Sequence, residues 1–358
     1  MALLTSLIEL LLFIQWFSCF IFFVQLNRMK KTSPYTYNTP IKVVRPYCGL
    51  EHNLKENIES TRFFFKTNAE IIFCLKDKSD PTYPFLLEFK RKNFTEDIEI
   101  LIGPSKLENP KLANLEKSVS YEKDYLYIFI DSNVLIDQNY LGYALYSLSE
   151  NVGVVSAPPI GTDAQNFWAD LESSFLNTLQ ARWQYIAKFF GIGFVQGKNI
   201  IISNQTLRLI GGLKKLDTNF SEDAALTKEI KKLNLEINVM YPMNMDLGMR
   251  SFSQIWNRQT RWAKLRRKTF VLFYIPEIFL GSLPLILSMV VVGYPFFLIV
   301  GGVILFYIPE ILLSYYKNWN TRISFIFSLL IRDLLMPFLW ISGWGNKIVW
   351  RGNFKNLK

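Results

Sequence analysis

The sequence predicts an α/β protein with a mostly parallel sheet flanked by helices, and transmembrane helices at both ends. Three observations predict it. Half of the 358 residues are hydrophobic and the mean hydropathy is +0.15, where a soluble chain of this size would be more polar. The apolar excess is gathered into blocks near the two ends. Between those blocks, short apolar runs alternate with helical patterns, as in parallel sheets buried on both faces.

The first block covers residues 3–26, with Glu9 its only charge. These 24 residues suffice to cross a hydrocarbon core roughly 30 Å thick. A cleaved signal would have a shorter apolar part ending in small residues. Here Arg28, Lys30 and Lys31 follow and mark the cytosolic side. The second block, about 270–316, is divided by Pro284, Gly293 and Pro295 and reads as two spans; a third covers about 323–345. Residues 258–268 hold six basic residues and no acid, so this end of the polar middle also points to the cytosol. Three full spans after it would put 350–358 outside, whereas Lys347, Arg351, Lys355 and Lys358 favour the inside. One C-terminal segment should therefore re-enter or lie flat. The segment 323–345 is the first suspect, because it carries Arg332 and Asp333. These two pair with each other or meet a lipid headgroup. Glu277 is a third charge in an apolar block.

The net charge of +10 comes from 40 basic and 30 acidic residues. Much of the excess lies beside the spans, where anionic lipid heads would meet it, so no nucleic-acid partner is needed to explain it. Cys19, Cys48 and Cys74 form no spaced pair, which argues against a disulfide framework or zinc site and suits a reducing cytosol. His52 is the only histidine, so histidine-dependent catalysis is disfavoured.

Along the polar middle, 32–40 reads as a linker and 41–44 as a short strand. Residues 51–66 are helical in pattern. Strands follow at 69–75 and 98–102, a helix at 110–120, and strands at 125–130 and 152–157. A long helix is expected over 164–190 and a strand with a glycine kink over 194–203. Gly211 and Gly212 break the chain before a helix at 224–233, which Ser221 is placed to cap. Ligands of such sheets bind beyond the carboxyl ends of the strands, where Asp77 and Asp131 fall. Aspartates also start turns and cap helices, which is the plain alternative for either one and for Asp223.

The order Asp77, Asp131, Asp223, then Arg258, Gln259, Thr260, Arg261 and Trp262, resembles the D, D, D, (Q/R)xxRW pattern of membrane glycosyltransferases of the GT-A type. The nearest resemblance is to ceramide glucosyltransferases and related bacterial lipid glycosyltransferases, including those acting on hopanoid lipids. Arg45 and Pro46 with Gly49, Leu50, Asn53 and Leu54 look like the opening strand and helix of that group. Residues 109–115 resemble its NPKxxNL segment, 196–198 and 211–212 its later GxS and GG turns, 261–266 its RWxKLR run, and 350–352 its WRG tail.

The resemblance implies a GT-A nucleotide-sugar-binding fold divided as follows: a transmembrane anchor at 1–28, a cytosolic catalytic domain at 38–268, transmembrane or interfacial helices at 269–346 and a basic tail at 347–358. It implies a UDP-sugar donor, a membrane lipid acceptor such as ceramide, and a divalent metal, Mn2+ or Mg2+. By the same resemblance Asp131 holds the metal with Asn133, and Asp77 contacts the nucleotide. Lys111 meets a phosphate, and Asp223 is the general base of an inverting displacement. Arg258 and Arg261 bind the leaving diphosphate, and Trp262 packs by the acceptor. Asn133 departs from the usual DxD by lacking the second acid, and Asp80 competes with Asp77 for its role. A processive polysaccharide synthase shares the motifs but carries more spans. A non-catalytic scaffold of the same fold is the reading from another class.

Overall fold

The computed structural model describes residues 2–31, 39–65, 67–217, 221–350 and 353–356. Most of the expected linker (32–38) lies outside the described residues, as do Arg351, Gly352 and Lys358 of the tail. The chain forms two compact units. One comprises Gln25–Ile160 and Gln184–Asp246, the other Met1–Val24, Gly161–Trp183 and Leu247–Lys358.

Nine strands build the sheets of interest: β1 Ile41–Pro46, β2 Ala69–Leu75, β3 Ile98–Ile102, β4 Leu126–Ile130, β5 Val152–Ser156, β6 Pro159–Ala164, β7 Asn199–Ser203, β8 Glu236–Val239 and β9 Met243–Gly248. Seven lie in one sheet in the first unit, in the order β3-β2-β1-β4-β7-β5-β8. The pairs β1–β2, β1–β4, β2–β3 and β5–β8 are parallel, and β7 runs antiparallel to both β4 and β5. Strands buried on both faces need β-branched and aromatic residues at nearly every position. Alternate residues here feed opposite cores: Val43, Ile71, Phe73 and Ile128 on one face, Val44, Ile72, Tyr127 and Phe129 on the other. The helix expected at 51–66 is Leu54–Glu59 followed by a 3-10 turn, Ser60–Phe64. The strand expected over 194–203 begins only at Asn199.

Among the described residues, three helices are long and apolar enough to cross a membrane: Leu3–Arg28, Phe296–Tyr316 and Ile323–Ser342. A fourth apolar stretch is broken, Val271–Phe279 meeting Leu283–Val292 at 49°. The expectation that 323–345 is the irregular segment is thus corrected: the irregular one precedes it. Contacts distant in sequence meet at the break. Ser282 at the break donates its backbone N–H to Asp333 Oδ2 (2.8 Å), and Tyr307 donates its hydroxyl to the same oxygen (2.7 Å). Arg332 donates to Asp333 Oδ1, to Glu310 Oε2 and to Thr178 Oγ1, each at 2.8 Å. The charges in the apolar segment therefore pair inside the protein, as buried charges must. The helix expected over 164–190 runs from Phe167 to Phe189, with Ala164 still in β6, and its middle, Ser174–Ala181, is wound as a π-helix.

Candidate active site

The carboxyl ends of β1, β2 and β4 lie at one edge of the sheet, and the first residue beyond β4 is Asp131. Because β7 is antiparallel, its amino end lies at that same edge, with Asn199 opposite Ile130. Lys198 therefore stands beside Asp131, whose backbone N–H donates to the Lys198 carbonyl (3.0 Å). The Lys198 ammonium is 2.9 Å from Asp131 Oδ2 and donates to Asn133 Oδ1 at 2.9 Å.

Lys111 reaches the same carboxylate from the helix Pro110–Glu116. Asn109 starts that helix, its side-chain oxygen accepting from the N–H groups of Lys111 (2.9 Å) and Leu112 (3.4 Å), with proline first in the helix. The Lys111 ammonium lies 2.8 Å from Asp131 Oδ1 and 3.0 Å from Glu222 Oε1, and also donates to the Gly197 carbonyl.

Asp223 completes the cluster from the first turn of the helix Glu222–Lys232. Its Oδ2 accepts from the Gly197 N–H (3.1 Å), and its Oδ1 from Ser221 Oγ (2.6 Å) and the Ala224 N–H (2.8 Å). Ser221 makes no capping bond to the helix backbone, so its expected role is corrected: its hydroxyl orients the Asp223 carboxylate instead. Glycine at 197 leaves room for this approach. A β-carbon there would lie 3.0 Å from Glu222 Oε1, 3.3 Å from Lys111 Nζ and 3.4 Å from Asp223 Oδ2.

The cluster separates its carboxyl groups electrostatically. Burial pushes Asp131 up, but the ammonium groups of Lys111 and Lys198 outweigh it and hold the carboxyl at about 2. Burial, then the neighbouring Glu222 carboxylate, raise Asp223 above the ordinary value. Burial lowers Lys111, but Asp131 and Glu222 together hold it above its ordinary value.

Arg45, like Lys198, is a site residue whose role the sequence did not disclose. It is fully buried, and its Nη2 donates to the carbonyls of Asp131 (3.1 Å), Ser132 (3.3 Å) and Val134 (2.7 Å). Its Nη1 bonds Thr61 Oγ1 (3.0 Å) and the Asn57 carbonyl. It thus fixes the turn that carries Asp131 and Asn133. Its signal was an arginine inside an apolar strand.

Asp77 lies exposed beyond β2. Its Oδ1 accepts from the hydroxyl and the backbone N–H of Ser79, and these bonds hold the carboxyl below its usual range. Asp80 is half-buried and accepts from the N–H groups of Gly49 and Thr82 (both 2.9 Å), a turn-building role.

Arg258, Arg261 and Trp262 belong to the other unit, on the helix Phe252–Thr269, which opens with a capping box between Ser251 and Gln254. Arg258 is ion-paired to the buried Glu172, whose other oxygen accepts from Arg250 Nε (3.0 Å). Its guanidinium is thus already engaged by a carboxylate. Arg261 and Trp262 are half-buried.

The donor set also bears on the expected metal. Divalent Mg2+ or Mn2+ wants several oxygen ligands, carboxylates above all. Here the single carboxylate of the turn is shared by two ammonium groups, and Asn133 Oδ1 is taken by one of them. No group of three His, Cys, Asp or Glu suited to a metal occurs among the described residues. Asp131 and Asn133, arranged so, do not fit a tightly held divalent ion.

Comparison with known proteins agrees with this architecture. A family described as Glycosyl transferase family 21 matches residues 10–358. Ceramide glucosyltransferase 1 of Caenorhabditis elegans is 25% identical over 68% of this chain and 54% of its own length. Ceramide glucosyltransferase 3 of the same organism is 23% identical over 63% and 50%. The chain therefore spans about half the length of these curated relatives. A mannosyltransferase from Pyrobaculum calidifontis, solved with GDP-Man and Mn2+, superposes over 95% of this chain and 97% of its own. Its TM-score is 0.50 at 11% identity, a likeness of fold. The fold is the expected GT-A type.

Proposed function

The chain belongs to glycosyl transferase family 21, and from that premise we propose that it moves a hexose from a nucleoside-diphosphate sugar to the hydroxyl of a membrane lipid. The observation that carries this reading is Asp223. Its carboxylate is held by three donors, its proton affinity is raised, and it lies one glycine away from the two lysines flanking Asp131. A raised carboxyl of this kind suits a general base, because proton transfer is most effective as the pKa approaches the working pH.

In the reaction, Asp223 takes the proton from the acceptor hydroxyl as that oxygen attacks the anomeric carbon. The bond from that carbon to the diphosphate breaks, and its electron pair stays on the diphosphate oxygen. One displacement inverts the sugar carbon. The lysines at the sheet edge face the charge that develops on the leaving group. Asp77, exposed beyond β2, is assigned to the nucleotide and Arg261 to the diphosphate, both by the motif they share with the family. Trp262 is assigned to the acceptor on the same basis. Arg258 is assigned to holding its helix through Glu172.

Two observations support a lipid acceptor. The same chain carries helices able to span a membrane, and its curated relatives are named as ceramide glucosyltransferases. UDP as the nucleotide, glucose as the sugar and ceramide as the lipid are what those names and the motif pattern suggest. The basic residues flanking the polar middle support a catalytic unit facing the cytosol. The test is purified protein with total membrane lipid and a panel of labelled UDP-sugars. Label entering the organic phase supports the reading, and no labelled lipid from any donor contradicts it.

A further inference from the structure

We infer that Lys198 supplies, as a built-in cation, the charge opposite the leaving diphosphate that a divalent metal would otherwise supply. The inference rests on the transfer reaction proposed above. A nucleoside diphosphate is a dense anion, and its departure needs a cation at the breaking bond. The usual device is a metal between two acids. Here the second acid is Asn133, and the space between Asp131 Oδ2 and Asn133 Oδ1 is taken by the Lys198 ammonium, 2.9 Å from each. The ligands suit that cation: an amide and a single carboxylate balance a monovalent ammonium, where a divalent ion would be left under-compensated.

The two lysines are not equivalent. An ammonium has three protons. Those of Lys111 are directed to Asp131, Glu222 and the Gly197 carbonyl. Lys198 engages Asp131 and Asn133, which leaves one proton for a ligand, and its side chain is 23% exposed. Lys111 is thus a positioning residue that compensates Asp131 and Glu222. Lys198 is the group that hydrogen-bonds a diphosphate oxygen. It keeps its proton throughout: the acceptor's proton goes to Asp223, and the electron pair of the broken bond stays on the diphosphate. Its placement follows from the fold. Only the antiparallel β7 puts a residue immediately before a strand at the edge where the parallel strands end.

The test uses the full-length chain in detergent. Transfer by the unaltered protein is measured after exhaustive EDTA treatment, with and without Mn2+ or Mg2+ added back, and UDP binding is measured calorimetrically in EDTA. Transfer persisting undiminished in EDTA, with UDP binding retained, is the expected result. Lys198→Met should weaken UDP binding and lower kcat by about 100-fold, the scale of removing one charge-stabilising donor. Lys198→Arg should retain part of both, because it keeps the charge. Transfer lost in EDTA and restored by metal would overturn the inference while leaving the glycosyltransferase reading intact. Transfer absent in every condition would overturn that reading, and UDP binding then decides alone. Binding in EDTA that Lys198→Met abolishes upholds the inference, and binding only with metal overturns it. Should Lys198→Met fail to fold, the chelator measurement on the unaltered chain and the Lys198→Arg variant give the same decision.

Discussion

Asp223 and Asp131 lie in one cluster yet have opposite proton affinities, and each has its own pH consequence. For Asp223 the folded value is raised, so the base is lost to protonation sooner than an ordinary carboxylate as pH falls. The acid limb of the kcat/KM profile should therefore lie above pH 3.8, the ordinary value for this side chain. For Asp131 the folded value is depressed to about 2 against 3.8 in the unfolded chain, so the unfolded state binds more protons in that interval. Its ion pairs should contribute about 2 kcal/mol above pH 3.8, lost as pH falls towards 2, which acid titration of the Asp131→Asn variant against the unaltered protein would register. Gly197→Ala should leave the fold standing and lower transfer at least about 10-fold, since misplacing reacting groups by a fraction of an ångström is costly. The crowded atoms are side-chain termini of Glu222, Lys111 and Asp223, which can shift. At this scale the sequence disclosed Asp131, Asp223 and Lys111 through their motifs. It did not disclose Lys198 as a partner of Asp131, because that contact depends on the direction of β7, and an apolar run reads the same in either direction.

Arg45 shows how an element holds a site it does not itself form. Its guanidinium ties β1 to the turn after β4 through three carbonyls, and to the Asn57 and Thr61 segment. Arg45→Met should remove a buried donor from all three carbonyls and lower stability by about 2 kcal/mol or more, read as a fall in Tm, with kcat falling too. The strands of the parallel half were legible in the sequence: 69–75 and 98–102 match β2 and β3 end for end. Their residues are apolar at nearly every position, which no amphipathic helix would show. The π-helix at Ser174–Ala181 was not legible, because a wider winding leaves no composition of its own and is set by packing. Nor was the bend between Val271–Phe279 and Leu283–Val292, which depends on Asp333 fifty-one residues after Ser282. If that bent pair enters and leaves on one face, the two helices after it return the chain to the side of the polar middle, which the basic tail residues favour. A reporter fused after Lys358 should then be found on the same side as Cys48.

At the scale of the whole molecule, orientation is the property that decides which nucleotide pool the proposed reaction would draw on. Of the three cysteines, Cys19 and Cys74 are buried and Cys48 is exposed. A membrane-impermeant thiol reagent should label Cys48 in inside-out vesicles and spare it in intact cells; labelling of intact cells would reverse the orientation. The α/β class and the membrane-spanning ends were visible in hydropathy alone, because each block exceeds the length a bilayer demands. The division into two units was not visible, since it depends on 161–183 joining the apolar helices through pairs such as Arg332 with Thr178 and Asn320 with Asp170. The central claim is that Asp223 is the base of a transfer to lipid. The most direct measurement compares the unaltered chain with Asp223→Asn, using labelled UDP-sugars and total membrane lipid, with UDP binding followed in parallel. Labelled lipid from the unaltered chain, and none from a variant that still binds UDP, is the predicted result. Transfer retained by Asp223→Asn would contradict it.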